Sequence, residues 1–287
     1  MNIIKPSFQI IEPTGYTIDD IYKSIELAGR CSHKSEDKIT ENSAKSFVGR
    51  MLNMKHLATC EFGTVYLNLP NGLISQALYG NLVDKYSENT YSISVPYVEK
   101  TGLMSIGRAA ITTNYRVLVE NNWLDDLQYL CEPTEYHHKR YTVKFILDRA
   151  IANEFVRHRK FSFLQESTRY CNYSKGKFNG ELTFIEPCWL TPDMKNNLTY
   201  LNYVDTLQKI EDTYITLTKN GWKAEEARNI LPLSLKTELY MCGFAEDWKK
   251  FFELRSKKYG VGNPHPQADE LATPLYEEFI KRGYINE

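Results

Sequence analysis

Residues 142–170 read TVKFILDRAIANEFVRHRKFSFLQESTRY, and the period of their apolar positions decides how the chain is built. Val143, Ile146, Leu147, Ala150, Ile151 and Phe155 recur at helical spacing on one stripe, so the spacing predicts the clearest helix of the protein over residues 142–159. Arg157, His158 and Arg159 would end it. Cations there are favourable by about 0.3–1 kcal/mol each, and a solvated cap is one reading of the trio. Consecutive helical residues point about 100° apart, however, so three neighbours cannot share one face. A large ligand, or one shared between subunits, gives such a fan of donors something to contact. Ser167 and Arg169 follow. A hydroxyl beside a guanidinium suits a phosphate, because the planar fork donates two parallel hydrogen bonds.

Outward from this stretch, a helix is expected from Thr17, with Asp19 and Asp20 in its first turn and Ile18, Ile21, Ile25 and Ala28 at helical spacing. A second helix is expected over 41–54. Strands are expected over 62–69, 90–98 and 103–112, the last leading into a helix near Asn114, while 72–91 reads as mixed. Further on, 181–187 reads as a strand. Helices are then expected over 192–220, over 223–242 with Pro232 as a kink, and over 245–255, followed by a loop over 257–266. The strands fall mainly in the first half. The fold class predicted is α+β, a central and mainly antiparallel sheet covered by helices, with residues 1–287 forming a single domain.

Bulk composition narrows the function. With 42% hydrophobic and 25% charged residues the chain is ordinary for a globular protein. Its 35 Lys plus Arg balance 36 Asp plus Glu, which argues against a general nucleic-acid binder. Any bound anion must meet a local cluster of cations. None of the six cysteines stands in a CxxC pair, so they read as reduced and mostly buried. No stretch reaches the roughly 20 apolar residues of a membrane span. The chain reads as cytoplasmic.

The run Arg157-His158-Arg159, seven residues, then Ser167, Arg169 and Tyr170 resembles the RHRx7S and SxRY signature of flavin-dependent thymidylate synthases. Three more segments are similar to that family. His56 to Glu61 resembles an early HxxxxEH element, with Phe62 where its last histidine would stand and Ala58 where a hydroxyl is common. Ala227-Arg228 to Leu231-Pro232 resembles ARxxLP, and Leu254-Arg255 with His265 to Gln267 resembles the C-terminal LR and HxQ elements. The chain departs from the pattern at Glu154, where many members have Gln, and at Leu164 and Gln165, in place of the commoner Asn and acidic residue. Phe244 and Lys250 stand where some members have flavin-contacting asparagines.

The resemblance implies an enzyme that converts dUMP to dTMP, with methylenetetrahydrofolate as carbon donor and NADPH-reduced FAD as hydride source. It implies that Arg157, His158, Arg159, Gln165 and Gln267 hold the flavin, and that Gln165, Ser167, Arg169, Arg228 and Arg255 hold the nucleotide. Arg255 and His56 would take catalytic parts, with no metal and no attacking cysteine. Cys188, after Pro187, reads as structural. The family forms homotetramers with active sites between subunits. An alternative is a noncatalytic flavin- or nucleotide-binding protein of the same fold. An RNA-binding module using the 20 tyrosines and 13 phenylalanines for stacking fits the charge balance poorly. A metal site on His137, His138 and His158 is disfavoured, because adjacent histidines diverge and Lys139 and Arg140 repel a cation.

Overall fold

The structure is a computed structural model that describes residues 1–72, 82–101 and 104–286. Residues 73–81 of the segment expected to be mixed, and Leu103 at the start of an expected strand, lie outside those residues.

Nine strands are present among the described residues: β1 (Asn2–Ile4), β2 (Ser7–Ile11), β3 (Thr64–Pro70), β4 (Ile93–Thr101), β5 (Met104–Asn114), β6 (Arg140–Asp148), β7 (Ser162–Gln165), β8 (Thr183–Ile185) and β9 (Lys236–Phe244). The longer helices are α1 (Ile18–Arg30), α2 (Ser43–Asn53), α3 (Arg149–Phe155), α4 (Leu198–Lys219), α5 (Ala245–Arg255) and α6 (Pro266–Lys281). The mixed helix and antiparallel-sheet class is as predicted. The strands form three sheets: a four-stranded one in the order β2-β6-β9-β7, a three-stranded one in the order β3-β5-β4, and the pair β1-β8. Among the described residues only the β1-β8 pair is parallel.

Two expectations fail instructively. Residues 142–159 are not one helix: β6 runs to Asp148 and α3 covers only Arg149–Phe155. Val143, Phe145 and Leu147 alternate with less buried neighbours and are themselves at most 1% exposed, a period of two set by pairing with β2 on one side and β9 on the other. An apolar run this dense satisfies both periods, and β-branched and aromatic residues tip it to strand. The break is written at Asp148, whose carboxylate accepts from the Ile151 N–H at 2.7 Å and caps α3. Residues 223–242 are not a kinked helix either. A four-residue helix (Ala224–Ala227) and a 3₁₀ turn (Arg228–Ile230) end before Pro232, and β9 follows. β9 lies between β6 and β7 and is buried along almost its whole length, so its apolar run carries no alternation to read. Strands therefore occupy both halves of the chain.

Elsewhere the agreement is close. Thr17 caps α1 in a reciprocal capping box with Asp20. The helix expected over 245–255 is α5, and the segment 192–220 is a short 3₁₀ turn followed by α4, restarted by the Asn197 cap. α6 was not expected, although His265 caps it and Pro266 opens it, a common start signal. It packs Leu271, Leu275 and Phe279 onto the four-stranded sheet with Trp248, Phe251 and Phe252 of α5. Phe155 and Phe161, which bracket the arginine-rich turn, sit in the same core. Gly243 of β9 makes room for them: a Cβ there would lie 2.5 Å from the Phe161 ring.

Candidate active site

The arginine trio lies in a turn beyond α3. The backbone N–H of Arg157 donates to the Glu154 carbonyl at 3.3 Å and that of His158 to the Phe155 carbonyl at 3.1 Å. Phe155 and Phe161 anchor the turn from below, which leaves Arg157 and Arg159 exposed. Neither forms an ion pair among the described residues. His158 is half-buried, its ring meeting Phe251 edge-on at 5.1 Å. Burial first, and then the Arg255 charge, hold its pKa down to about 4. The neutral ring accepts at Nε2 from Arg255 Nε at 3.2 Å. Arg255, the last residue of α5, also donates to the Glu154 carboxylate and, at 3.1 Å, to the Glu154 carbonyl. Glu154, His158 and Arg255 are thus one cluster.

The other end of the motif is a second cluster. β7 pairs with β9, and Gln165 Nε2 donates to Thr237 Oγ1 at 3.2 Å. The chain then turns: the N–H groups of Tyr170 and Cys171 donate to the Ser167 carbonyl at 3.2 and 2.9 Å, and Ser167 Oγ accepts from the Arg169 N–H at 3.2 Å. The Ser167 N–H reaches the Ser32 carbonyl at 3.1 Å, which docks the turn on the loop after α1. There Tyr170 stacks on His33, with centroids 4.2 Å apart and planes 11° off parallel. His33 is lowered below its ordinary pKa by burial and by nearby His56, so His56, itself exposed, belongs to this neighbourhood. Arg169 donates to Glu225 at 2.9 Å. That bond first, helped by the charges of Lys223 and Arg228 among others, depresses the Glu225 carboxyl. Arg169, by a direct bond, and Arg228, through its charge alone, both act on this carboxylate, and both are exposed. Gln267 is not brought to either cluster by a contact. It is buried, and its Nε2 donates to Asp148 at 2.8 Å, at the start of α3.

Behind the turn lies an ionic network that sequence reading missed. Glu166, 1% exposed, accepts from Lys236 Nζ at 2.8 Å and from the Tyr173 hydroxyl at 2.9 Å. Lys236, Lys34 and Lys144 each lie 2.8 Å from the Glu238 carboxylate. Burial alone would raise Glu238, but the three ammonium groups outweigh it and hold the carboxyl far below its ordinary value. Burial likewise opposes the charge on Lys236, yet Glu166 and Glu238 raise its pKa. Lys34 sits at φ 50°, a left-handed conformation uncommon for lysine, immediately after His33. The network's local signal is the Lys236-Thr237-Glu238 alternation, which falls inside the helix expected over 223–242.

A cleft of about 370 Å³ opens beside the motif, lined by Arg140, Lys160, Ser162, Phe244, Asp247 and Lys250 among others. It holds two of the positions that depart from the family pattern, Phe244 and Lys250. Among the described residues no group of three or more His, Cys, Asp or Glu side chains is placed to hold a metal ion, and no helix is long and apolar enough to cross a membrane. Four cysteines are buried, Cys131 is half-buried and Cys188 is exposed.

The family profile described as thymidylate synthase complementing protein matches residues 90–282. The probable flavin-dependent thymidylate synthase of Paramecium bursaria Chlorella virus 1 is 28% identical over 221 residues, spanning 68% of this chain and 94% of the relative. The flavin-dependent thymidylate synthase of Synechocystis is 30% identical over 129 residues, 40% of this chain and 55% of that one. Among solved structures, a UMP/dUMP methylase, PolB from Streptomyces cacaoi bound with 5-Br dUMP, aligns over 98% of this chain and 93% of its own at 14% identity, with a TM-score of 0.43.

Proposed function

The chain belongs to the thymidylate synthase complementing protein family, and from that premise we propose that it is a flavin-dependent thymidylate synthase. It methylates dUMP to dTMP, taking its carbon from methylenetetrahydrofolate and its reducing equivalents from NADPH. The observation that carries this reading is the family match together with a motif whose cations are exposed and free for ligand at one end, and gathered around a hydroxyl turn at the other.

The residues present fit FAD. Arg157 and Arg159 are exposed without an ion-pair partner among the described residues, as donors to a pyrophosphate should be. When bound, FAD supplies hydride chemistry; orientation and electrostatics are left to the protein. His158 stays neutral at pH 7 and holds Arg255 by its side chain. Gln165 and Gln267 are the further flavin contacts in this reading.

Ser167, Arg169 and Arg228 take the nucleotide phosphate. Arg169 bonds an exposed carboxylate in the free chain, and exchanging it for a phosphate costs little, because water screens exposed pairs. Arg255 faces the pyrimidine, where a fixed cation stabilises negative charge that develops on the ring. Glu154 positions it. His56 acts from the His33 side. The assembly is a cytoplasmic homotetramer of single-domain subunits, and an active site completed between subunits gives the exposed arginines their second wall.

The test is thymidylate formation from dUMP, methylenetetrahydrofolate and NADPH, assayed by chromatography with and without added FAD. Flavin-dependent product is expected. A folded, FAD-retaining protein that makes none would leave a noncatalytic flavin and nucleotide binder of the same fold.

A further inference from the structure

Arg169 stands in solvent, yet its guanidinium has two partners in the free chain. Its Nε bonds the Glu225 carboxylate at 2.9 Å, and its guanidinium carbon lies 5.5 Å from the centre of the Tyr170 ring. The second distance is that of a cation–π contact. The same ring stacks on His33, with centroids 4.2 Å apart and planes 11° from parallel. Tyr170 thus joins Arg169 to His33.

His33 is itself fixed by its neighbours. The Ser32 hydroxyl donates its one proton to the Gly29 carbonyl at 3.1 Å, so it accepts from His33 Nδ1, also at 3.1 Å. On the other side Lys34 sits at φ 50°, and its ammonium is 2.8 Å from both the Glu36 and the Glu238 carboxylates, which ties the loop to β9. The Ser32 carbonyl accepts from the Ser167 N–H at 3.1 Å. The loop after α1 therefore grips the 167–170 turn twice, by backbone through Ser32 and by a ring through His33.

We propose that His33 is a positioning residue for the nucleotide: stacked on Tyr170, it keeps the Arg169 guanidinium set for a phosphate once Glu225 has been displaced. The inference rests on the reading above that Arg169 takes the phosphate of dUMP. Losing Glu225 would return a long exposed side chain to its full rotamer freedom, and ordering it again would weaken binding. The contact with Tyr170 does not depend on Glu225, so it holds Arg169 while the anionic partner changes. Burial first, and then nearby His56, lower the His33 pKa; at pH 7 it offers a flat ring and no charge to repel Arg169. The phosphate of dUMP lies away from the carbon that is methylated, so the contact is the same in ground and transition states and bears on KM rather than kcat.

The experiment titrates dUMP into the FAD-loaded protein by calorimetry and follows thymidylate formation separately. His33→Ala, which removes the ring, should weaken dUMP binding about fivefold, the scale of one aromatic pair, and raise the KM to match with kcat within about twofold. His33→Phe keeps a ring and should stay within about twofold of the wild-type affinity. Tyr170→Leu should weaken dUMP at least as much as His33→Ala, and the double variant no further, because the two rings form one contact. Unchanged affinity in His33→Ala, additive losses in the double variant, or an equal loss in His33→Phe with a lowered denaturation midpoint overturns the proposal. His33-dependent dUMP binding without thymidylate would count against the proposed reaction and leave the positioning role standing. Turnover with an affinity indifferent to His33 would do the reverse, and a wild-type protein that binds no dUMP would overturn both.

Discussion

The motif at 157–170 contains two kinds of charge within fourteen residues. Glu166 is sealed against Lys236 and Tyr173 behind the turn, in a network that continues through Glu238 to Lys34 and Lys144. Arg157, Arg159 and Arg169 stand in solvent, two of them unpaired and one bonded to an exposed carboxylate. Taking charge out of water is expensive and is tolerated only where partners are complete, so the buried set is committed to holding β7, β9 and the loop after α1 in register. Among the described residues the exposed set forms only the ion pair of Arg169 with the exposed Glu225, and is available to ligands. The same residue types thus act as scaffold or as site according to burial.

The largest expected effect falls on the buried side. Lys236→Met leaves Glu166 and Glu238 short of a partner and should cost about 3 kcal/mol, read as a lower denaturation midpoint with an unchanged m-value. Arg157→Ala in the same assay should change stability by no more than about 0.5 kcal/mol. Equal losses would erase the distinction between the two sets.

Acid should separate them as well. Glu238 has a folded pKa depressed from 4.5, so its contribution is complete above that value and is lost as pH falls through the folded one. Lys34 and Lys236 are raised from 10.5; their contributions are complete below that value and fade only as pH rises through their folded values. The network's contribution should therefore hold across neutral pH and decline below about pH 4.5. His158, held down to about 4, already loses stability as pH falls below 6.5. Lys236→Met should flatten the lower part of the acid limb in a pH series of denaturant melts.

A smaller effect is expected at the border between the sets. Glu154 and Arg255 are partly exposed, so Glu154→Gln should cost only about 1 kcal/mol or less. If Glu154 positions Arg255, the variant should change kcat more than the KM for dUMP. A proportionate change in KM alone would make Glu154 a binding residue instead.

Much of this is legible in the sequence alone. The capping residues Thr17, Asn114 and Asp148 are local signals, although Asp148 was overlooked inside a longer apolar run. The motif itself was readable because its residue types are unusual at that spacing. The network was not, since Lys34, Lys144, Glu166 and Glu238 meet only through strand pairing and a turn, and β9 was hidden by its lack of alternation. His33 was invisible for the same reason: nothing in its neighbours announces a stack with Tyr170, 137 positions away.

The account turns on the exposed cations being the site, and thymidylate formation by Arg169→Ala tests that most directly. The variant should melt with the wild-type protein and yield little or no FAD-dependent thymidylate at substrate levels that saturate the parent. Full turnover by a normally folded Arg169→Ala protein would contradict it.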